Sequence, residues 1–164
     1  MNYEEAVAYI DETPKFTKKN SLDHTKECLR RLGNPQDQLK VVHIAGTNGK
    51  GSTLAFLAGI FRESGYRAGR YVSPASFCYE ERFRINEENI SKEDLCFYME
   101  KIKKISEEMV RDGMSHPTMF EIETALSFLY FLDKKVDVVL LETGMGGRLD
   151  ATNVVKKPIA VIIA

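Results

Sequence analysis

At 164 residues, with 43% hydrophobic and 29% charged side chains, the chain has the make-up of one ordinary globular domain with a core of its own. Its 23 Lys and Arg against 24 Asp and Glu leave a net charge of −1. That balance excludes a general field for nucleic acid or acidic membranes, so any anion must be met by a local site. No membrane span, signal peptide, disulfide framework or zinc site is legible either: the apolar runs are short, the start Met1 to Glu5 is acidic, and Cys28, Cys78 and Cys96 have no C-x-x-C spacing. Thiols of this kind fit a reducing cytoplasm.

Asn2 with Glu5 three residues on reads as a capping box, and Tyr3, Ala6, Val7 and Ile10 recur at helical spacing until Pro14. Residues 15–21 form a polar, basic loop, either a solvated connector or a lip that meets an anionic ligand. Leu22, Leu29 and Leu32 mark a second helix, stopped by Gly33-Asn34-Pro35. An apolar run from Val41 to Ala45 predicts a strand and Leu54 to Phe61 an amphipathic helix, with a glycine-rich turn between them. Gly65 and Gly69 bracket the return to a short strand, Arg70-Tyr71-Val72, which ends at Ser73-Pro74. A loop of paired charges follows, Glu80 to Asn86.

Ser91 and Asp94 open a long helix to about Asp112, with Leu95, Tyr98, Ile102, Ile105 and Met109 as its apolar stripe. Thr118 and Glu121 repeat the capping-box pattern ahead of a helix carrying Ile122, Ala125, Leu126, Leu129 and Leu132. Val136 to Glu142 predicts a strand that ends in a carboxylate. A glycine-rich loop, Thr143 to Asn153, and a last apolar run, Ile159 to Ala164, complete the chain. Strands alternating with helices predict a parallel α/β sheet flanked by helices, in which ligands sit outside the carboxyl ends of the strands. The glycine turn, Ser73 and Glu142 all fall at such ends.

The turn itself reads Gly46-Thr47-Asn48-Gly49-Lys50-Gly51-Ser52. Strand, glycine turn and helix N-terminus together let backbone N–H groups crowd around an anion, and Lys50 can reach the β- and γ-phosphates of a nucleotide. Glycine rather than a hydroxyl follows the lysine. Glu142, after four apolar residues, is placed as a Mg²⁺ ligand would be, though a strand-end carboxylate facing water has the same pattern. Ser73 is equally a second oxygen ligand or a plain turn before proline. Glu121 is explained by helix capping alone. His24, His43 and His116 have no ligand spacing, and His43, inside a strand, reads as a packed residue.

These segments resemble the folylpolyglutamate synthases and bifunctional dihydrofolate synthases, the folate branch of the ATP-dependent Mur ligase superfamily. Gly46 to Ser52 with Gly51 after the lysine carries the resemblance. So do Leu32 to Pro35, Ser73-Pro74, Glu81 to Asn86, Thr118 to Ala125, and above all Glu142 to Asn153. The resemblance implies a P-loop NTPase-like sheet of the Mur central-domain type, incomplete at this length. Residues 1–164 would be the N-terminal ATP-binding domain, without the C-terminal glutamate-binding domain. It implies ATP and Mg²⁺, and a ligation in which a folate or dihydropteroate carboxylate is phosphorylated and then attacked by the amine of L-glutamate. A cytoplasmic monomer is expected of the full-length parent, with no nucleic-acid or membrane partner.

By position, Gly46, Thr47, Asn48, Gly49, Lys50, Gly51 and Ser52 would hold the triphosphate, Lys50 and Glu142 would be catalytic, and Ser73 and Glu142 would ligate the metal. Thr118, Phe120, Glu121, Leu149 and Asp150 would bind substrate, under a loop at 17–20. Two segments depart from the family pattern: Ala75-Ser76 stands where it has His-Leu, and Asp23-His24 where it has Glu-Arg. A fragment of this length is expected to be inactive alone and to carry an exposed sheet edge prone to pairing. A peptidoglycan-precursor Mur ligase and a non-catalytic nucleotide-binding module are the alternatives.

Overall fold

The computed structural model describes residues 1–15 and 21–164, so the expected 17–20 cover loop lies outside the described residues. Among the described residues six strands form one sheet: β1 (Val41–Ala45), β2 (Ala68–Tyr71), β3 (Phe83–Ile85), β4 (Glu88–Asn89), β5 (Val138–Glu142) and β6 (Ala160–Ile163). Their order is β4-β3-β2-β5-β1-β6. The predicted strands β2, β5, β1 and β6 run parallel. The sheet as a whole is mixed, because β3 pairs antiparallel with β2, and β4 with β3. The segment expected to be a charged loop is therefore a 3-10 turn, Tyr79–Arg82, leading into a short hairpin. The hairpin packs because Phe83 and Ile85 point together into the core while Arg84 between them does not.

Helices cover both faces. On one side lie α1 (Tyr3–Glu12), α2 (Asp23–Arg31), α4 (Lys92–Arg111) and α5 (Met119–Asp133), whose apolar residues join Val41, Val139 and Leu141 in the main core. On the other, α3 (Lys50–Glu63) packs Leu54 and Ala58 on Val42, Ile44 and Leu140. Successive β5 residues alternate between the two cores, so burial on both faces explains the unbroken apolar run that signals it. Buried residues run continuously from Ile122 to Phe131, making α5 the central helix of its layer.

Both predicted capping boxes form: the Asn2 side chain accepts from the Glu5 N–H, and that of Thr118 from the Glu121 N–H, with each glutamate returning to the cap backbone. Ser91 caps α4 in the same way through the Asp94 N–H. No helix among the described residues is long and apolar enough to cross a membrane.

Candidate functional site

Three chain segments converge at the carboxyl edge of the parallel strands. β1 ends at Ala45 and the chain turns through 46–49 into α3, whose first residue is Lys50. Gly46 (φ +144°) and Gly49 (φ +85°) hold the left-handed conformations that make this turn, and a Cβ on Gly46 would run into the Ala164 backbone. Among the described residues no side chain caps Gly49 or partners the first N–H groups of α3, beside exposed Thr47, Asn48, Gly51 and Ser52. Free N–H groups and the helix dipole make this an anion cradle. The Lys50 ammonium donates to the Gly46 carbonyl at 2.9 Å, folded back across the loop it would serve.

Glu142 ends β5, the neighbour of β1, in register with Ile44. Its carboxylate is 6% exposed, and Oε2 accepts the Ser73 N–H at 3.2 Å. Burial pushes its pKa above the usual carboxylate range, opposed by the Ser73 N–H and by the charge of Lys50. A desolvated carboxylate with one backbone donor is under-compensated, which suits a hard cation with oxygen ligands. Among the described residues no cluster of three or more His, Cys, Asp or Glu could hold a metal on its own. Mg²⁺ needs none, since it takes one or two protein oxygens and completes its shell with phosphate and water.

Next to this pair opens a cavity of about 360 Å³. All five residues expected to meet substrate line it: Thr118, Phe120 and Glu121 from the start of α5, and Leu149 and Asp150 from the loop after β5. Ser73 lines it too, so the cavity reaches the Glu142 edge. The Phe120 ring lies on Gly144, where a Cβ would come within 2.5 Å of it, and stacks on Tyr71 at 5.9 Å.

Two of the five act through their neighbours. Glu121 Oε2 accepts the Thr118 N–H and hydroxyl, and Oε1 accepts the Thr25 hydroxyl at 2.9 Å, tying α5 to α2. Asp150 Oδ2 accepts the Gly144 and Met145 N–H groups, while Oδ1 accepts the Thr152 N–H and hydroxyl. Their carboxylates brace the walls of the cavity.

The sequence reading missed Thr25 and Met145, which also line the cavity together with Lys15 of the basic loop. None belongs to a spacing pattern, and Thr25 is brought in only by the packing of α2 on α5. It also missed buried Glu123, which accepts from the Tyr79 hydroxyl at 2.9 Å and Arg82 at 3.2 Å.

Strand, glycine turn and lysine-headed helix, with a carboxylate on the adjacent strand end, define a P-loop α/β domain. The chain is 41% identical over 161 residues to the dihydrofolate synthase/folylpolyglutamate synthase of Bacillus subtilis, covering 98% of this chain and 37% of that protein. It superimposes on a solved folylpolyglutamate synthase–AMPPCP–folate complex with TM-score 0.94 at 36% identity, over 99% of this chain and 40% of the other. The Thermotoga maritima folylpolyglutamate synthase gives TM-score 0.90 at 42% identity, over 98% and 37%. No family model matches. The chain is thus similar over nearly its whole length to folylpolyglutamate synthases, and it spans about two fifths of the length of these relatives.

Proposed function

We propose that these residues supply the ATP site and the pterin-side cavity of an ATP-dependent ligase that adds L-glutamate to folate or dihydropteroate. The observation that carries this reading is the shared edge: the phosphate cradle, the Ser73–Glu142 pair and the cavity all open at the carboxyl ends of β1, β2 and β5. Supporting it, one relative was solved with AMPPCP and folate bound. The ligation itself is ascribed to a polypeptide of full family length.

A substrate carboxylate oxygen attacks the γ-phosphorus and ADP leaves, giving an acyl phosphate. The amine nitrogen of glutamate then attacks the acyl carbon, expelling inorganic phosphate and losing a proton to give the amide. Phosphorylation is needed because a carboxylate oxygen is a poor leaving group. Lys50, released from the Gly46 carbonyl, turns to the β- and γ-phosphates, and the N–H groups of 47–52 hold the transferring group against the helix dipole. Glu142 and Ser73 would hold Mg²⁺, which would supply positive charge to offset the charge developing on the phosphates during transfer. Phe120, its ring tip against Gly144 and its ring stacked on Tyr71, lines the cavity with an apolar aromatic suited to a planar heterocycle, while Thr118 and Leu149 bound the cavity. The three free cysteines suit a reducing cytoplasm.

Calorimetric titration tests the reading. The chain should bind AMPPCP with Mg²⁺, and folate or dihydropteroate in preference to a UDP-muramyl ligand. A preference for the UDP ligand would turn the assignment to a peptidoglycan-precursor ligase. Failure to bind either nucleotide or pterin would end it.

A further inference from the structure

His43 sits in the middle of β1, 8% exposed, three residues before the phosphate loop. Its Nε2 lies 2.7 Å from the hydroxyl of fully buried Thr152. That hydroxyl has one proton, and it goes to Asp150 Oδ1, an acceptor-only carboxylate. The oxygen of Thr152 can then only accept from the histidine, so Nε2 carries a proton. Burial lowers the His43 pKa, with Asp150 opposing, which keeps the ring neutral at neutral pH and leaves Nδ1 without a proton.

The chain of donors continues in one direction. His43 donates to Thr152, Thr152 to Asp150 Oδ1, and Asp150 Oδ2 receives the Gly144 and Met145 N–H groups at 2.9 and 2.8 Å. Gly144 and Met145 form the stretch of cavity wall that faces Phe120. These four hydrogen bonds, two to each oxygen, hold the Asp150 carboxylate in place. The Thr152 hydroxyl is aimed at it only while the histidine proton occupies the other side of that oxygen.

We propose that His43 is a positioning residue: its Nε2 proton orients the Thr152 hydroxyl and thereby fixes the Asp150 carboxylate that shapes the 144–150 wall of the pterin cavity. The strand that delivers the phosphate loop thus also sets the geometry of the neighbouring ligand wall. The folate measurement below rests on the function proposed above; the amide-exchange and tautomer measurements do not.

The experiment compares wild type with His43→Leu, His43→Gln and Thr152→Val. Glutamine keeps an N–H donor at about the reach of Nε2, and leucine keeps the volume without the donor. Native-state hydrogen exchange of Gly144 and Met145 is measured against the β1 and β5 amides of the same sample, so that a global loss of stability cancels. Leucine and valine should speed exchange at Gly144 and Met145 about tenfold beyond that internal reference, the loss of one buried hydrogen bond at about 1.4 kcal/mol. Glutamine should stay within about twofold of wild type. Nitrogen-15 spectra of the wild-type ring should show Nε2 protonated. Folate affinity should fall about tenfold in His43→Leu, with AMPPCP affinity within twofold.

Unchanged exchange in His43→Leu, equal loss in His43→Gln, or a proton on Nδ1 would each overturn the proposal, as would parallel losses of folate and AMPPCP affinity. Should wild type bind no folate, the functional reading fails while exchange and tautomer still decide the role of His43.

Discussion

The Ser73 N–H donates to Glu142 Oε2 at 3.2 Å, joining the ends of β2 and β5 beside the first turn of α3. The contact holds the carboxylate by its backbone-facing oxygen. Glu142→Gln keeps the shape and an acceptor for that N–H while removing the charge. The expected result is a folded chain with nearly unchanged thermal stability whose affinity for AMPPCP no longer rises on adding Mg²⁺, a loss of at least about tenfold. Mg²⁺-dependent binding at the wild-type level would show that Glu142 is not the metal ligand.

Lys50 answers a different question, because its ammonium rests on a carbonyl of its own loop. Lys50→Ala leaves Gly46 O to solvent and disturbs no core residue, so the fold should survive. On the proposed role of Lys50 at the β- and γ-phosphates, nucleotide affinity should fall at least about tenfold with or without Mg²⁺. Equal affinity in mutant and wild type would remove the cradle assignment.

Gly144 and Phe120 make a sterically defined pair. A methyl at position 144 would lie 2.5 Å from the ring tip, and the ring is backed by Tyr71 in a stack with Phe83. Gly144→Ala should therefore cost about 1–3 kcal/mol through overpacking. Phe120→Leu should recover most of that cost in the double variant, a coupling read from a denaturation double-mutant cycle. Additive losses would mean that the loop yields rather than the ring.

The frame of the molecule was legible wherever a local rule acted alone. Caps at Asn2, Ser91 and Thr118, the apolar run of β5, and the glycine turn before Lys50 each declare their structure within a few residues. The β3–β4 hairpin was not, because Phe83 and Ile85 supply only two apolar positions amid charges, and pairing with β2 decides the outcome. Long-range satisfaction hid the rest. The sequence does not show that Asp150 accepts from Gly144, Met145 and Thr152, nor that Thr152 stands beside His43 from 109 residues away.

Glu123 is the sharpest case of that second kind, and it makes stability depend on pH. It is fully buried on α5, where burial raises its pKa while Arg82 and the hydroxyls of Tyr79 and Tyr71 oppose the rise. A carboxyl whose folded-state pKa lies above its unfolded value of about 4.3 adds stability below that value and loses it as pH climbs through the raised one. Glu123→Gln cannot ionise, so the part of the pH slope due to this residue should vanish. Urea denaturation between about pH 4 and 7 should then show wild type falling relative to Glu123→Gln as pH rises. Removing the partner instead, as Arg82→Met, strands the carboxylate and should cost about 3–5 kcal/mol at neutral pH, less once Glu123 is protonated. Parallel pH profiles for wild type and Glu123→Gln would place the ionisation of Glu123 outside this range and leave the Arg82 contact as packing alone.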